Sequence, residues 1–179
     1  MQRQTYAALL RGINLGARNK VSMADLKELF AALDAEDVET YLRSGNVVFK
    51  SVASPQLANA IEKRISRDLG LDISVLLRTK TELQKIVADN PFAGKGSDLE
   101  QLHVTFLAEA PKRAVVAKID ADQFAPDEFQ VVRGEVYLRF PNGYGGSKLS
   151  NAFFEKRLGV VATTRNWKTV TKLAELTSS

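Results

Sequence analysis

Apolar positions in the first eighty residues switch between a period of two and a period near 3.6. TYAALLR (5–11) is a short apolar run that reads as a strand. In SMADLKELFAALD (22–34), Leu26, Leu29, Phe30 and Leu33 recur at helical spacing, and Ser22 with Asp25 gives a capping-box-like start. VETYLR (38–43) and VVFK (47–50) flank Ser44-Gly45-Asn46, a hairpin signal. SPQLANAIEKRISRDLG (54–70) predicts a helix with Pro55 near its start and Gly70 as its stop. DISVLLR (72–78) closes the set as a strand. The predicted order is β-α-β-β-α-β.

The second half repeats that order. LHVTFLA (102–108) predicts a strand and PKRAVVAKID (111–120) a helix. FQVVR (129–133) and VYLRF (136–140) flank Gly134-Glu135, a helix covers 148–158, VVATT (160–164) is a strand, and a helix follows at 166–176. Gly45 and Gly134 stand 89 residues apart, as do Gly70 and Gly159, and Arg78-Thr79 matches Arg165-Asn166 at a spacing of 87. Three pairs at nearly one offset point to a duplication. The expected fold is α+β: two tandem ferredoxin-like units with antiparallel sheets, a connecting helix and a C-terminal helix. The expected boundaries are 1–80 for the first unit, 81–100 for the connecting helix and linker, 101–165 for the second unit, and 166–179 for the last helix and tail.

Composition narrows the function classes. Apolar residues at 45% and charged residues at 26% are ordinary globular values. The absence of cysteine excludes disulfides, thiol nucleophiles and cysteine-ligated metal sites. The start MQRQTYAALLRG has no signal-peptide pattern and no stretch is long and apolar enough for a membrane span, so a soluble cytoplasmic protein is expected. The net charge of +4 hides an asymmetry. Residues 1–24 carry Arg3, Arg11, Arg18 and Lys20 and no acid, whereas 129–179 carry eight basic residues against Glu135, Glu155 and Glu175. The middle of the chain, with 13 basic and 18 acidic residues, is negative. If the basic ends meet they would form an anion-attracting surface; otherwise they are scattered solvated charges.

ALLRGINLGARNKVSMADL, YLRSGNVVF, NPF, LHVTFL and above all FPNGYGGSKLSNAFFEKRLGVVATTRNWKTVTKLAEL resemble the bacterial family called domain of unknown function 1697. The resemblance covers nearly the whole chain. It implies a small cytoplasmic protein with the tandem arrangement above, and it implies no activity, so no catalytic residue is carried over.

The chemistry therefore rests on the residues. PNGYGGSKLS (141–150) is not a Walker loop, which needs Gly-Lys-Ser/Thr in succession. Gly143, Gly145 and Gly146 still let bare N–H groups approach an anion, Ser147 is the expected helix cap, and Lys148 adds a charge. The alternative is a capped turn. Arg11-Gly12-Ile13-Asn14-Leu15-Gly16-Ala17-Arg18-Asn19-Lys20 lies between a strand and a capped helix and is rich in donors. Its GxxxG spacing is not the dinucleotide fingerprint. Loops after first and third strands are expected at one end of their sheet. Arg165, Trp167 and Lys168 could stack a base and meet phosphate, or Trp167 could simply pack in a crevice.

RGEVYLRF (133–140) partly matches the RNA-recognition octamer, but Glu135 replaces a stacking aromatic and an ordinary hairpin is the better reading. The single histidine, His103, alternates against Leu102, Val104 and Phe106 and reads as a solvated or hydrogen-bonded strand residue. No residues have metal-ligand spacing, and Asp120-Ala121-Asp122 with Asp127-Glu128 reads as an acidic turn. No cofactor is implied. The leading expectation is a binding protein for a phosphate-bearing partner, foremost single-stranded nucleic acid. An enzyme acting on a small phosphorylated or nucleotide-like metabolite in a cleft between the units is one alternative, and a protein-interaction module another.

Overall fold

The computed structural model describes residues 2–179. It contains two four-stranded antiparallel sheets and six helices, arranged as two tandem ferredoxin-like units. Compact unit 1 comprises 1–85 with 173–179, and unit 2 comprises 86–172.

The first unit runs β1 (Arg3–Leu10), α1 (Met23–Ala31), β2 (Glu36–Tyr41), β3 (Asn46–Val52), α2 (Leu57–Leu69), β4 (Val75–Thr79), with α3 (Lys80–Ala88) following. Its sheet order is β2-β3-β1-β4. Alternation along β1 decides what packs where. Tyr6, Ala8 and Leu10 join Val47, Phe49 and Val75 on the face that receives Leu26, Leu29 and Phe30 of α1 and Ile61 and Ile65 of α2. The other face, with Ala7, Leu9, Val48 and Leu76, is buried as well.

The second unit runs β5 (Leu102–Leu107), α4 (Arg113–Val116), β6 (Glu128–Val132), β7 (Glu135–Arg139), α5 (Asn151–Leu158) and β8 (Ala162–Asn166), and α6 (Trp167–Leu176) follows. Its order, β6-β7-β5-β8, is the same as that of the first sheet. Leu107, Val136, Leu138 and Phe140 pack against Phe154 and Leu158 of α5.

Equivalent hydrogen bonds recur at equivalent places. Leu10 N donates to Gly45 O at 2.8 Å, and Leu107 N to Gly134 O at 2.9 Å. Gly70 and Gly159 both end their helices in the left-handed conformation, at φ 66° and 71°. Arg78 and Arg165 are both buried in the last strand of their unit, and each folds a guanidinium N–H onto the preceding carbonyl, at 2.9 and 3.0 Å. The repeated glycines and the Arg pair thus mark repeated structural positions.

Several expected boundaries move. The helix expected over 111–120 shrinks to Arg113–Val116, because Lys112 supplies no side-chain cap and Asp120 starts a separate 3-10 turn at Ala121–Phe124. The one expected from 148 starts at Asn151 and is capped by Ser150, whose Oγ accepts from Phe153 N at 3.2 Å. Ser147 is therefore not the helix cap. Its Oγ accepts from Leu149 N at 3.1 Å within the preceding turn.

Candidate functional site

Direction within each sheet decides which loops can share a site. β1 pairs antiparallel with β3, and β5 with β7, so the loops after first and third strands leave from opposite ends of a sheet. This reverses the expectation that they share an end. The loop after β1 lies instead beside the β2–β3 turn, residues 42–45. The glycine loop after β7 lies at the end where β5 begins. The two glycine loops therefore occupy non-equivalent positions in their units, and the repeated order does not place one site twice.

The first loop is built by its asparagines. Asn14 adopts φ 53° and Asn19 φ 49°, a left-handed conformation that asparagine tolerates better than most residues. Asn14 Nδ2 donates to Val21 O at 3.1 Å and to Arg43 O at 2.8 Å, and Asn14 Oδ1 accepts from Val21 N at 2.9 Å. Asn19 Nδ2 donates to Gly12 O at 3.0 Å, and Asn14 N to Asn19 O at 2.9 Å. Leu15 and Arg18 form a bridge that makes residues 14–19 a small hairpin. Gly12 and Gly16 turn it at φ 78° and 61°. The asparagine side chains are thus spent on backbone groups of this loop and of the β2–β3 turn, while Arg18 and Lys20 are exposed.

Beside this hairpin is a cavity of about 600 Å³ lined by Asn14, Gly16, Lys20, Ser22, Met23 and Arg43, with Val21. Lys20 and Arg43 are exposed. The cavity reaches the start of α1, where Ser22 Oγ accepts from Asp25 N at 3.0 Å. First-turn amides have no acceptor within a helix, so this rim adds a partial positive charge to those of Lys20 and Arg43. Asp25 in the same turn offsets part of that field. Arg43 went unnoticed in the sequence. The available signal was the hairpin LRSGN, whose turn the ferredoxin-like order brings to the end of β1. Arg11 is half-buried outside the lining, and Arg18 is exposed on the hairpin.

In the second unit, Gly143 (φ 86°) leads into a 3-10 turn at Tyr144–Gly146. A cavity of about 300 Å³ is lined there by Gly143, Gly146, Ser147 and Lys148, with Asp127 and Asn142 among its other walls. Lys148 precedes the cap of α5 by two residues, so glycines and helix amides do not converge as expected. Asp127 also places a carboxylate in the same wall.

Arg165 and Trp167 are buried, at 7% and 5% exposure, which removes both from a stacking and phosphate-binding surface. Burial pushes the Arg165 guanidinium down to about 10, with Tyr144 acting in the opposite direction, so it stays charged at neutral pH. Lys168 remains exposed. Tyr137, in the partial RNA-recognition octamer, is fully buried and donates to Ile86 O at 3.0 Å. Burial, then Glu135 and Asp89, push its phenol up to about 12.

His103 is half-buried, stacked on Tyr144 at 5.1 Å and edge-on to Phe140 at 5.2 Å. Burial holds its pKa below the ordinary 6.5, partly offset by the Gln101 carbonyl. A depressed base is neutral in the folded chain while the unfolded chain still takes up the proton. Its contribution is therefore full above about pH 6.5 and is lost as pH falls below that value. Urea denaturation should show stability dropping from pH 7 toward 5.5 in the wild type. The drop should be smaller in His103→Phe, which keeps an aromatic ring on Tyr144. Parallel pH profiles would contradict the assignment.

Among the described residues, no group of three His, Cys, Asp or Glu side chains is placed to hold a metal, and no helix is long and apolar enough to cross a membrane. The family model "Protein of unknown function (DUF1697)" matches residues 3–137. The chain belongs to this family. No curated protein matches it. Among solved structures, a conserved bacterial protein, SP0830 from Streptococcus pneumoniae, is similar at 26% identity and a TM-score of 0.76. That match covers 98% of this chain and 99% of the other. The Asn14–Arg43 site lies inside the family-matched span, and the 141–148 loop lies outside it.

Proposed function

We propose that the chain is a binding protein for a phosphate-bearing partner, foremost single-stranded nucleic acid, held at the cavity between the 11–22 loop and the β2–β3 turn. One observation carries the reading: Lys20 and Arg43, from different elements, line one cavity that also reaches the start of α1. A carboxylate or phosphate oxygen there would meet charged donors and oriented amides together. Its volume suits a nucleotide-sized group. Phosphate on a metabolite and phosphate in a strand share that chemistry. The lining holds no carboxylate or imidazole to act as a general base, which favours binding over catalysis.

Anisotropy titration of a labelled single-stranded oligonucleotide should show binding at low salt that weakens steeply as salt rises. Lys20→Ala and Arg43→Ala should each cost about tenfold in affinity, the effect of losing one charge-assisted contact. Lys148→Ala, in the other unit's cavity, should change little. Pyrophosphate and free nucleotides, tested in thermal melts, separate the small-ligand source from the strand. If neither the strand nor any phosphate compound binds at low salt, the reading is wrong.

A further inference from the structure

Leu42 is a bulky residue in the wrong conformation for its surroundings. It sits at φ 60°, where glycine or asparagine is favoured, and it is 52% exposed. The turn gains nothing from a leucine there, and the core gains little. Leu15, at the tip of the neighbouring hairpin, is 65% exposed. The 2.8 Å hydrogen bond from Asn14 to Arg43 O joins the two segments one residue from each leucine, so both stand at one end of the first unit. Exposed Arg18, Lys20 and Arg43 lie on the same two segments. A strained, solvated apolar side chain held among cations points to a partner that is apolar and anionic together.

Building on the phosphate-binding reading, we propose that Leu42 and Leu15 form an aliphatic platform for the bases of a bound single strand, whose phosphates meet Lys20 and Arg43. Charge complementarity fixes the anionic backbone. Bases offer broad apolar faces at the spacing of successive phosphates. An aliphatic platform supplies no hydrogen bonds to base edges, so recognition is independent of sequence. Buried Trp167 and Tyr137 offer no competing aromatic surface for stacking.

The test compares a normal single strand with one of equal length whose sugars lack bases, since both carry the same phosphates. Wild type should favour the base-bearing strand by about tenfold, equivalent to about 1.4 kcal/mol. Leu42→Asn, which suits the left-handed turn, should lose most of that preference while keeping pyrophosphate binding. Its melting temperature should hold or rise by about 2–4 °C. Leu15→Ser, at a position with no backbone strain to relieve, should reduce the preference without raising the melting temperature. Equal binding of both strands, with pyrophosphate still bound, would overturn the platform and leave the phosphate site standing. Failure of every probe would remove both. A glutamate-rich peptide containing leucine that binds through Leu42, while the strands bind alike, would assign the surface to an acidic protein and also overturn the proposal.

Discussion

Gly45→Ala should lower stability by about 2–5 kcal/mol and the melting temperature by roughly 5–20 °C, the steepest loss expected from removing no contact at all. Two costs combine. Gly45 lies at φ 86°, where an added Cβ meets the adjacent carbonyl and costs about 1–2 kcal/mol. The new Cβ would also stand 2.7 and 2.8 Å from Ile13 Cγ1 and Cδ1 and 3.0 Å from Leu10 Cβ. Ile13 is 1% exposed and Leu10 fully buried, so neither can swing aside, and such overpacking typically costs about 1–3 kcal/mol. The loss also travels, because Ile13 precedes Asn14 and any shift in it opens the 14–19 hairpin. Gly70→Ala is the internal control. Gly70 has φ 66° but nothing within 4 Å of the added atom, so only the backbone cost applies. Urea midpoints for the two variants should differ by at least the packing term. Equal losses would show that Ile13 yields freely.

The repeated architecture was legible because it rests on backbone requirements that few residues meet. Gly70 and Gly159 close their helices in the left-handed region, and each keeps its place 89 residues from the other. Helix starts were less legible. Pro55 and Ser147 both carry strong start signals, yet α2 begins at Leu57 after an uncapped Gln56, and α5 begins at Asn151 after Ser150. In PNGYGGSKLS two serines three residues apart are equally good caps in isolation. The choice falls to Ser150, and the buried Leu149 and Phe154 beside it belong to the second unit's core.

The candidate site was half legible. Its cations and glycines crowd ten residues after β1, which made the loop conspicuous. Sequence chemistry does not distinguish an asparagine that contacts a ligand from one that ties backbone segments together, and Asn14 is the second kind, bonded to Val21 and to Arg43 O. Arg43 lies beyond an intervening helix and strand, and only the antiparallel order β2-β3-β1 brings its turn to the loop. Trp167, standing among cations, read either as a stacking residue or as a packed one, and it opens α6 as a buried side chain. Local charge said nothing about which way the ring faces.

Asn14→Ala should be the most damaging substitution at the site without touching a charge. The side chain makes three hydrogen bonds, at 3.1, 2.8 and 2.9 Å, to both polar groups of the Val21 peptide positions and to Arg43 O. Each is worth about 1 kcal/mol net, and alanine at φ 53° adds about 1 kcal/mol of strain, for a total of roughly 4 kcal/mol. Asn14→Gly separates the two terms, since glycine accepts the backbone angle and loses only the hydrogen bonds. Asn14→Asp retains the bond to Val21 N but sets a carboxylate against the Val21 and Arg43 carbonyls, so it should fall below Asn14→Gly in stability. Function should fail sooner than folding. Without the bond to Arg43 O, the turn carrying Arg43 and Leu42 is no longer fixed against the hairpin carrying Leu15. Oligonucleotide affinity should then drop by tenfold or more in all three variants, at temperatures where circular dichroism shows each still folded. A variant that binds as wild type does while losing stability would show that Arg43 finds its place without Asn14.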